Sequence, residues 1–436
     1  MLTFRGGVHP REDKEATEHK PVEVLPLPAR VYIPLSQHTG APSKAVVQKG
    51  SLVKTGTLIG EPAGRISAAT HASISGTVAD VADMPHPLTG RRGPTVVIDS
   101  DGADALDEAI KERDYSGFTV EQIVETLRLS GVVGMGGAAF PTYFKLTPPK
   151  EKPIDTLLIN GCECEPFLTA DHRLMLEQPA EIVEGIAIMS KVLGVKNVII
   201  AIEDNKPDAV KTMSQAASQS QFRVRNLKTK YPQGAEKQLI KATARREVPS
   251  GGLPMDVGCV VQNVGTAIAV REALRLNRPL YERVTTVTGP GIREPKNLRV
   301  RIGTPVKSLI EFCGGYAGEV GKLIMGGPMM GIAVSSDEVP VLKGTSGVLV
   351  LDPAATVFPE HDCIRCGRCV QVCPMGLAPL RLNNLIRRGQ FDAAKAEHVK
   401  DCIECGCCAY ACPAKIRLVH QFKYAKSEIM VRERKP

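Results

Sequence analysis

The strongest chemical signal in the sequence is a cysteine spacing that occurs twice near its C-terminal end. Eight of the 13 cysteines form two copies of the pattern Cys-x2-Cys-x2-Cys-x3-Cys-Pro. The first copy contains Cys363, Cys366, Cys369 and Cys373, and the second contains Cys402, Cys405, Cys408 and Cys412. Three thiolates at this spacing can hold one iron–sulfur cube, and the fourth, before a proline, ligates the other cube. The repeat therefore predicts two [4Fe-4S] clusters.

Each predicted cluster takes three cysteines from one copy and the fourth from the other. Cluster 1 is assigned to Cys363, Cys366, Cys369 and Cys412, and cluster 2 to Cys402, Cys405, Cys408 and Cys373. Cys407 is interpreted as a neighbour that is not a ligand. Disulfides fit less well, because Met1–Lys20 lacks the apolar core of a secretory leader and a reducing cytosol disfavours them. Zinc sites use cysteine pairs, not triplets with a further Cys-Pro.

The composition is that of a soluble globular protein and argues against nucleic-acid binding. Of the 436 residues 43% are hydrophobic, 23% are charged and 4% are aromatic, and the net charge is +8. Platforms for single-stranded nucleic acid stack bases on aromatic side chains, which are scarce here. The best apolar candidate for a membrane span, Leu253–Val270, is interrupted by Asp256, Gln262 and Asn263. We expect a cytoplasmic protein, or one held at a membrane through other subunits.

The N-terminal part divides into an arm, a small β-module and a linker. Residues 1–30 are rich in proline and charge, and residues 31–100 contain short apolar runs between turn residues, which favour small antiparallel strands. The β-module resembles the barrel-sandwich domains of biotinyl and lipoyl carriers. Its segment Arg65–Ala72 lacks the lysine that such carriers modify, which indicates a scaffold. Residues 101–130 are a linker with a helix predicted at Thr119–Leu129.

Residues 131–275 alternate between strand and helix patterns. Strands are predicted at Asp155–Asn160 and Asn197–Ile202, and helices at Ala180–Leu193 and Lys206–Ser218. This alternation favours a mostly parallel sheet covered on both faces.

Two further segments complete the chain. Residues 276–350 combine strand formers with Gly/Pro turns, which indicates a compact α+β module. Residues 351–436 contain the cysteine repeats, separated by a helical pattern at Leu377–Val399. This spacer predicts an α-helical ferredoxin domain.

A glycine cluster at Gly131–Thr142 follows the linker helix. The exposed N–H groups of its glycines could bind an anion such as a flavin phosphate. The spacing Gly134-x-Gly136-x-x-Ala139 loosely matches a dinucleotide fingerprint, although no clear strand precedes it and Pro141 interrupts the expected helix. A flexible hinge is the alternative interpretation.

A second polar segment follows the strand that ends at Asn160. It contains Glu163, Glu165 and, slightly later, Asp171. Because ligands of parallel α/β sheets bind beyond the carboxyl ends of strands, these groups could hold ribose hydroxyls or a nicotinamide amide. A solvated acidic turn is the alternative.

Four segments resemble the NADH-binding, FMN-carrying subunit of respiratory complex I. They are Gly131–Lys145, Asn160–Arg173, Tyr231–Lys237 and Val261–Thr266. Residues that match this pattern would cradle the FMN phosphate (Gly134, Gly136, Gly137, Lys145), contact the flavin (Asn160, Asn263) and line the nicotinamide pocket as candidate catalytic groups (Glu163, Glu165, Glu236).

The sequence departs from the complex I pattern at four positions. Val133 and Met135 replace two loop arginines, Cys162 replaces an aspartate, and Ala235 replaces one glutamate of a pair. These changes remove two positive and two negative groups from the pocket, so its charge distribution and its affinity for NAD(H) need not follow the complex I pattern.

The fuller resemblance is to the RnfC/RsxC family, the C subunits of Rnf-type ion-translocating electron transport complexes. It rests on Gly6–Pro10, Tyr231–Ile240, Gly326–Gly331 and the doubled cysteine motif, and it covers nearly the whole chain. It implies an α/β multidomain protein with a barrel-sandwich module, a Rossmann-like FMN/NADH-binding domain, a β-grasp (SLBB-like) module and a helical ferredoxin domain.

This resemblance also implies an activity. Electrons would pass between NAD(H), FMN and the two clusters in ferredoxin:NAD+ oxidoreduction, coupled to Na+ or H+ transport in a translocase complex. The chain would lie peripherally at the cytoplasmic face of the membrane, held by partner subunits that include a ferredoxin-like iron–sulfur protein. The alternatives are a soluble NAD(P)-linked module of a hydrogenase or formate dehydrogenase, and an electron-transfer adaptor that holds clusters only.

Overall fold

The N-terminal arm runs across several other parts of the molecule. The computed structural model of the protein describes residues 2–356 and 358–434. Leu2 forms a β-bridge with Leu227, and Val8 forms another with Tyr231. The arm also contains strand β1 (Val22–Val24), which joins a sheet built mainly from residues after 280. The first 30 residues therefore link distant segments.

The N-terminal β-module contains seven strands, which form two small sheets. Their strands are β2 (Arg30–Pro34), β3 (Lys44–Ala45), β4 (Leu52–Val53), β5 (Leu58–Glu61), β6 (Thr70–His71), β7 (Gly76–Pro85) and β8 (Arg92–Ser100). The first sheet has the order β2-β8-β7-β4 and the second has the order β3-β5-β6. Alternate residues such as Val31, Ile33, Val96 and Ile98 point between the sheets and are buried, which is the pattern of a sheet with one covered face.

The linker helix and the α/β domain follow. Their helices are α1 (Val120–Leu129), α2 (Thr142–Lys145), α3 (Ala170–Glu177), α4 (Pro179–Leu193), α5 (Pro207–Ala216), α6 (Glu236–Ala244) and α7 (Val264–Arg275). Their strands are β9 (Thr156–Gly161), β10 (Asn197–Glu203), β11 (Arg223–Leu227) and β12 (Cys259–Asn263). All four strands are parallel, in the order β11-β10-β9-β12.

Hydrophobic residues cover both faces of this parallel sheet. Leu157 and Ile159 of β9 belong to the core that contains α4 and α7, whereas Leu158 belongs to the core on the α6 side. A strand with apolar residues on both sides must be buried on both sides, as the sequence predicts. The sheet thereby fixes where the ends of β9 and β12 lie.

Close contact between α4 and α7 depends on a glycine. A Cβ added at Gly185 would lie 1.9 Å from the carbonyl oxygen of Ala267. We expect Gly185→Ala to lower the free energy of unfolding by about 1–3 kcal/mol, because the two helices must move apart. Thermal unfolding followed by circular dichroism would measure this, with Gly117→Ala as the control, since a Cβ there would meet no described atom within 4 Å. An unchanged midpoint for Gly185→Ala would contradict the packing.

The next module is a six-stranded sheet with one helix. Its elements are β13 (Glu282–Thr288), β14 (Lys296–Arg301), α8 (Val306–Phe312), β15 (Lys322–Met325), β16 (Ile332–Val334) and β17 (Gly347–Leu351). The strand order is β1-β14-β13-β17-β15-β16, so the N-terminal arm supplies one edge strand. The loop 326–331 connects β15 to β16.

The C-terminal domain is helical. It contains α9 (Arg368–Gln371), α10 (Pro379–Arg387), α11 (Phe391–Ala396), α12 (Cys407–Tyr410) and α13 (Leu418–Arg434). The continuous helical pattern predicted at 377–399 is wrong in one respect, because the chain there forms two helices. Gly389 has φ +69° and ends the first of them. Among the described residues, no helix combines the length and apolar character needed to cross a bilayer.

Candidate redox sites

Four cysteines of the two repeats surround one cavity. The walls of this cavity include Cys373, Cys402, Cys405 and Cys408. These are the four residues that the sequence assigns to cluster 2, including the one contributed by the first repeat. Apolar side chains, among them Phe422, form the rest of the wall. The four thiols and the apolar walls fit a [4Fe-4S] cluster.

The backbone repeats its conformation in the two cysteine motifs. Arg365 and Glu404 both have positive φ (56° and 59°), and each donates its N–H to the first cysteine Sγ of its motif, at 3.4 and 3.3 Å. The glycines that follow, Gly367 and Gly406, also have positive φ. Such turns direct N–H groups at the sulfurs, where they stabilise negative charge.

The predicted cluster 1 ligands are more exposed than those of cluster 2. Cys363 and Cys366 are exposed, Cys369 is half-buried and Cys412 is buried. Cys369 packs against the hydrophobic group that contains Cys412. The assignment of all four residues to cluster 1 stays a prediction.

The glycine loop lies beside the carboxyl ends of β9 and β12. A Cβ added at Gly136 would be 3.4 Å from Asn263 Cβ, and one at Gly137 would meet no described atom within 4 Å. A Cβ at Gly134 would be 3.5 Å from the Phe140 carbonyl oxygen. Gly137 has φ +116°, which favours glycine. The loop thus presents an open backbone face toward the strand ends, as a phosphate cradle requires.

Asn160 and Asn263 are neighbours in the sheet register. Asn263 caps α7, since its Oδ1 accepts N–H groups from Gly265 and Thr266 at 2.8 and 3.3 Å. Its Nδ2 donates to Asp171 at 2.6 Å. Asn160 Nδ2 donates to the Gly234 carbonyl at 2.8 Å. Two strand ends and a distant loop therefore converge where the sequence predicts flavin contacts.

Unpartnered polar atoms occur near these strand ends. The Nε2 of Gln262, the Nε2 of Gln233 and the hydroxyl of Thr142 are buried without a hydrogen-bond partner among the described residues. Buried polar groups are normally satisfied, so a bound group that supplies partners would stabilise the site. This observation and the open glycine face fit a flavin mononucleotide.

Lys145 and Glu236 form an ion pair. Lys145 also donates to the Val261 carbonyl at 3.2 Å, which keeps its ammonium beside β12. The sequence assigns these two residues to the phosphate and the nicotinamide respectively, and the structure brings them together.

The other two candidate carboxylates are bound to backbone N–H groups. Glu163 accepts from Asp171 and His172 at 2.8 and 3.0 Å, which caps the start of α3. Glu165 accepts from Met329 and Met330 at 3.0 and 2.9 Å. Their role in a nicotinamide pocket stays a prediction.

Buried charges surround the acidic loop. Burial raises the pKa of Glu165 to about 7. Burial and, next, the Glu163 charge raise the pKa of Asp171. Lys14 of the arm donates to the carbonyls of Glu163 and Glu165 at 2.9 and 3.0 Å, and burial lowers its pKa. Lys14 was not predicted from the sequence, because no local pattern links the arm to this loop.

Tyr231 joins the flavin side of the molecule to cluster 2. The side chain is 2% exposed, and its hydroxyl donates to the Cys405 carbonyl at 2.7 Å. Three residues later, Gly234 receives the Asn160 hydrogen bond and donates its N–H to Cys164 Sγ at 3.3 Å. One short segment therefore contacts both candidate sites.

Family models match successive parts of the chain. They are the RnfC barrel sandwich hybrid domain over residues 2–103, the Nuo51 FMN-binding domain over 127–272, the SLBB domain over 284–333 and the 4Fe-4S dicluster domain over 356–413. The fold class and the FMN and iron–sulfur cofactors predicted from the sequence are confirmed. The fold and its sites define a modular iron–sulfur flavoprotein.

Three curated relatives resemble the chain over nearly its whole length, and each is the C subunit of its complex. The relative from the proton-translocating ferredoxin:NAD(+) oxidoreductase complex of Clostridium ljungdahlii is 49% identical over 98% of this chain and 94% of the relative. The Na(+)-translocating counterpart of Acetobacterium woodii is 46% identical over 99% and 98%. The relative from the ion-translocating oxidoreductase complex of Rhodobacter capsulatus is 44% identical over 99% and 84%. The chain belongs to the RnfC family.

Among solved structures, an air-oxidized NAD+-reducing [NiFe]-hydrogenase gives a TM-score of 0.48 at 17% identity. The match covers 70% of this chain and 63% of that chain. This similarity is too low to support an inference.

Proposed function

We propose that this chain is the peripheral redox subunit of a membrane-bound ion-translocating complex. It passes electrons between NAD(H), FMN and two [4Fe-4S] clusters in ferredoxin:NAD+ oxidoreduction coupled to Na+ or H+ transport. The observation that carries the proposal is the Tyr231–Gly234 segment, which contacts the strand ends of the flavin domain and Cys405 at the cluster 2 cavity. Two of the relatives are named as subunits of ferredoxin:NAD(+) oxidoreductase complexes, which supports the proposed reaction.

The glycine loop and the two asparagines hold the flavin in this proposal. Gly134, Gly136, Gly137 and Lys145 bind the phosphate, and Asn160 and Asn263 orient the ring system. FMN supplies the exchange between two-electron hydride chemistry and single-electron transfer. The protein itself holds the two asparagine side chains, because Asn263 caps α7 and Asn160 donates to the Gly234 carbonyl.

Glu236 is the carboxylate that we assign to the nicotinamide. Its ion pair with Lys145, the residue that we assign to the phosphate, supports this assignment. The assignment of Glu163 and Glu165 to the same pocket has weaker support, because both carboxylates already accept two backbone N–H groups each.

Partner subunits exchange electrons at cluster 1 in this proposal. Cys363 and Cys366 are exposed, so a cluster there would lie within reach of another protein. Partners include a ferredoxin-like iron–sulfur subunit, and they hold the chain at the cytoplasmic face of the membrane. The family membership supports a multi-subunit assembly.

Two measurements test this function. In membranes from cells that lack this chain, ferredoxin-dependent NAD+ reduction should be lost and should return when the chain is restored. Purified anaerobically, the chain should contain FMN and the iron of two clusters, and NADH should reduce both cofactors in absorbance and EPR titrations. An active assembly found only in the soluble fraction would favour the hydrogenase or dehydrogenase alternative. Intact clusters without flavin, even after reconstitution, would favour the adaptor.

A further inference from the structure

Glu165 binds a loop of another module by both of its carboxylate oxygens. Oε2 accepts the Met329 N–H at 3.0 Å and Oε1 accepts the Met330 N–H at 2.9 Å. Charge-assisted bonds of this kind are stronger than neutral ones, and two of them also fix direction. Glu165 therefore anchors the loop 326–331 to the flavin domain.

The glycines of this loop make room for the carboxylate. A Cβ added at Gly327 would lie 2.3 Å from Glu165 Oε2, and one at Gly331 would lie 2.3 Å from the Gly327 carbonyl. Gly326 has φ +105°, so the turn also needs glycine for its backbone. The Gly-Gly-Pro-Met-Met-Gly sequence is thus shaped to receive Glu165.

The anchored loop lies against the cysteine motif of cluster 2. The Met329 carbonyl oxygen would be 3.0 Å from a Cβ on Gly406, which directly follows the ligand Cys405. Met329 also packs against the hydrophobic group that contains Tyr231, Cys405 and Cys407. Moving Met329 would therefore open one side of the Cys405 turn.

The N-terminal arm covers another side of the cluster 2 site. Gly7 donates its N–H to the Val372 carbonyl at 2.8 Å, and a Cβ on Gly6 would be 2.7 Å from the Cys373 carbonyl. The arm, Tyr231 and the loop 326–331 thus approach cluster 2 from three different parts of the chain. We call these three parts the cluster 2 collar.

We propose that Glu165 is a positioning residue for cluster 2, because it holds the loop 326–331 of the collar and adds a carboxylate to that loop. This role replaces the nicotinamide contact that the complex I resemblance implies for Glu165. The inference rests on the cluster 2 assignment within the proposed function. Its physical basis is general, since solvent access and nearby charge set the stability and potential of iron–sulfur clusters.

The test compares Glu165→Ala and Glu165→Gln in the anaerobically purified, cluster-loaded chain. In Glu165→Ala, which loses both bonds to the loop, iron release from cluster 2 to a chelator should be at least about tenfold faster, the factor that corresponds to one charged hydrogen bond. Glu165→Gln keeps one acceptor oxygen, so its acceleration should be smaller. Both variants remove a negative charge, so EPR redox titration at pH 8.5 should find a higher midpoint potential for cluster 2 in each. Cluster 1 should keep its wild-type potential.

A third variant separates the effect of the loop on iron release from the effect of the Glu165 charge on the midpoint potential. Met329→Ala keeps Glu165 and its two backbone partners but removes the covering side chain. It should accelerate iron release while leaving the potential closer to wild type than Glu165→Gln does. Glu319→Ala, an exposed carboxylate of the same module, is the matched control and should change neither quantity.

Affinity for NAD+, measured by calorimetry on FMN-loaded protein, distinguishes the two roles of Glu165. If Glu165 positions cluster 2, all variants should bind NAD+ with an affinity within about twofold of wild type. Weaker NAD+ binding in Glu165→Ala, with wild-type iron release and EPR signals, would overturn the proposal and return Glu165 to the nicotinamide pocket. A wild-type protein that lacks the second cluster would instead refute the underlying cluster assignment.

Discussion

Replacement of Cys405 by alanine should abolish cluster 2 and, with it, the reduction of cluster 1 by NADH. Cys405 lines the cluster 2 cavity, and its carbonyl is bonded to Tyr231 of the flavin domain. If cluster 2 lies between the flavin and cluster 1, its loss interrupts that route. We expect iron content to fall by about half and NADH-dependent reduction of the remaining cluster to fall at least about a hundredfold, with flavin still bound. Iron analysis, EPR and stopped-flow absorbance would measure these changes.

Cys366→Ala provides the complementary result. Cys366 belongs to the exposed cluster 1 set, so this variant should keep cluster 2 and its reduction by NADH but lose transfer to partner proteins. Cys407→Ala is the control, because Cys407 is buried beside Cys405 and is not a predicted ligand. Since Cys407 is also the nearest spare thiol, the Cys405→Ala change should be repeated in the Cys407→Ala background. Full iron content in that double variant would refute the ligand assignment.

Gly136→Asp should eliminate FMN while leaving both clusters in place. A side chain at this position would project toward Asn263, and its carboxylate would face the phosphate that the loop is proposed to bind. Repulsion between these like charges costs on the order of 3 kcal/mol, roughly a hundredfold in Kd. Flavin fluorescence after acid release, compared with iron content, would measure the selective loss.

The matched control for this change is Gly117→Asp. A Cβ at Gly117 meets no described atom within 4 Å, and the residue lies outside the glycine loop. It should retain wild-type flavin. Undiminished FMN occupancy in Gly136→Asp would show that the phosphate binds elsewhere.

The local features of this protein could be predicted well from the sequence. Cluster ligands lie a few residues apart, so the spacing from Cys402 to Cys408 already describes most of one site. The parallel sheet could be predicted because the strand at 156–161 is apolar on both faces. The spacer between the two cysteine motifs was predicted less well. Its hydrophobic periodicity predicts one continuous helix, but Gly389 divides it into two.

Contacts between distant segments could not be predicted in the same way. Glu163 and Glu165 look alike in the sequence, but one caps the helix that begins at Ala170 and the other binds Met329 and Met330. The second partner comes from a module whose position no local pattern encodes. A resemblance between short motifs therefore predicts a role for this loop but could not state what each carboxylate binds.

The passage of the N-terminal arm over Cys373 has a consequence for biosynthesis. Residues 6–8 leave the ribosome long before Cys373, and Cys402 to Cys408 emerge later still. In the proposed assignment cluster 2 takes ligands from both repeats, so all four of its thiols, and the arm that covers Cys373, are present together only on a chain whose synthesis has passed Cys408.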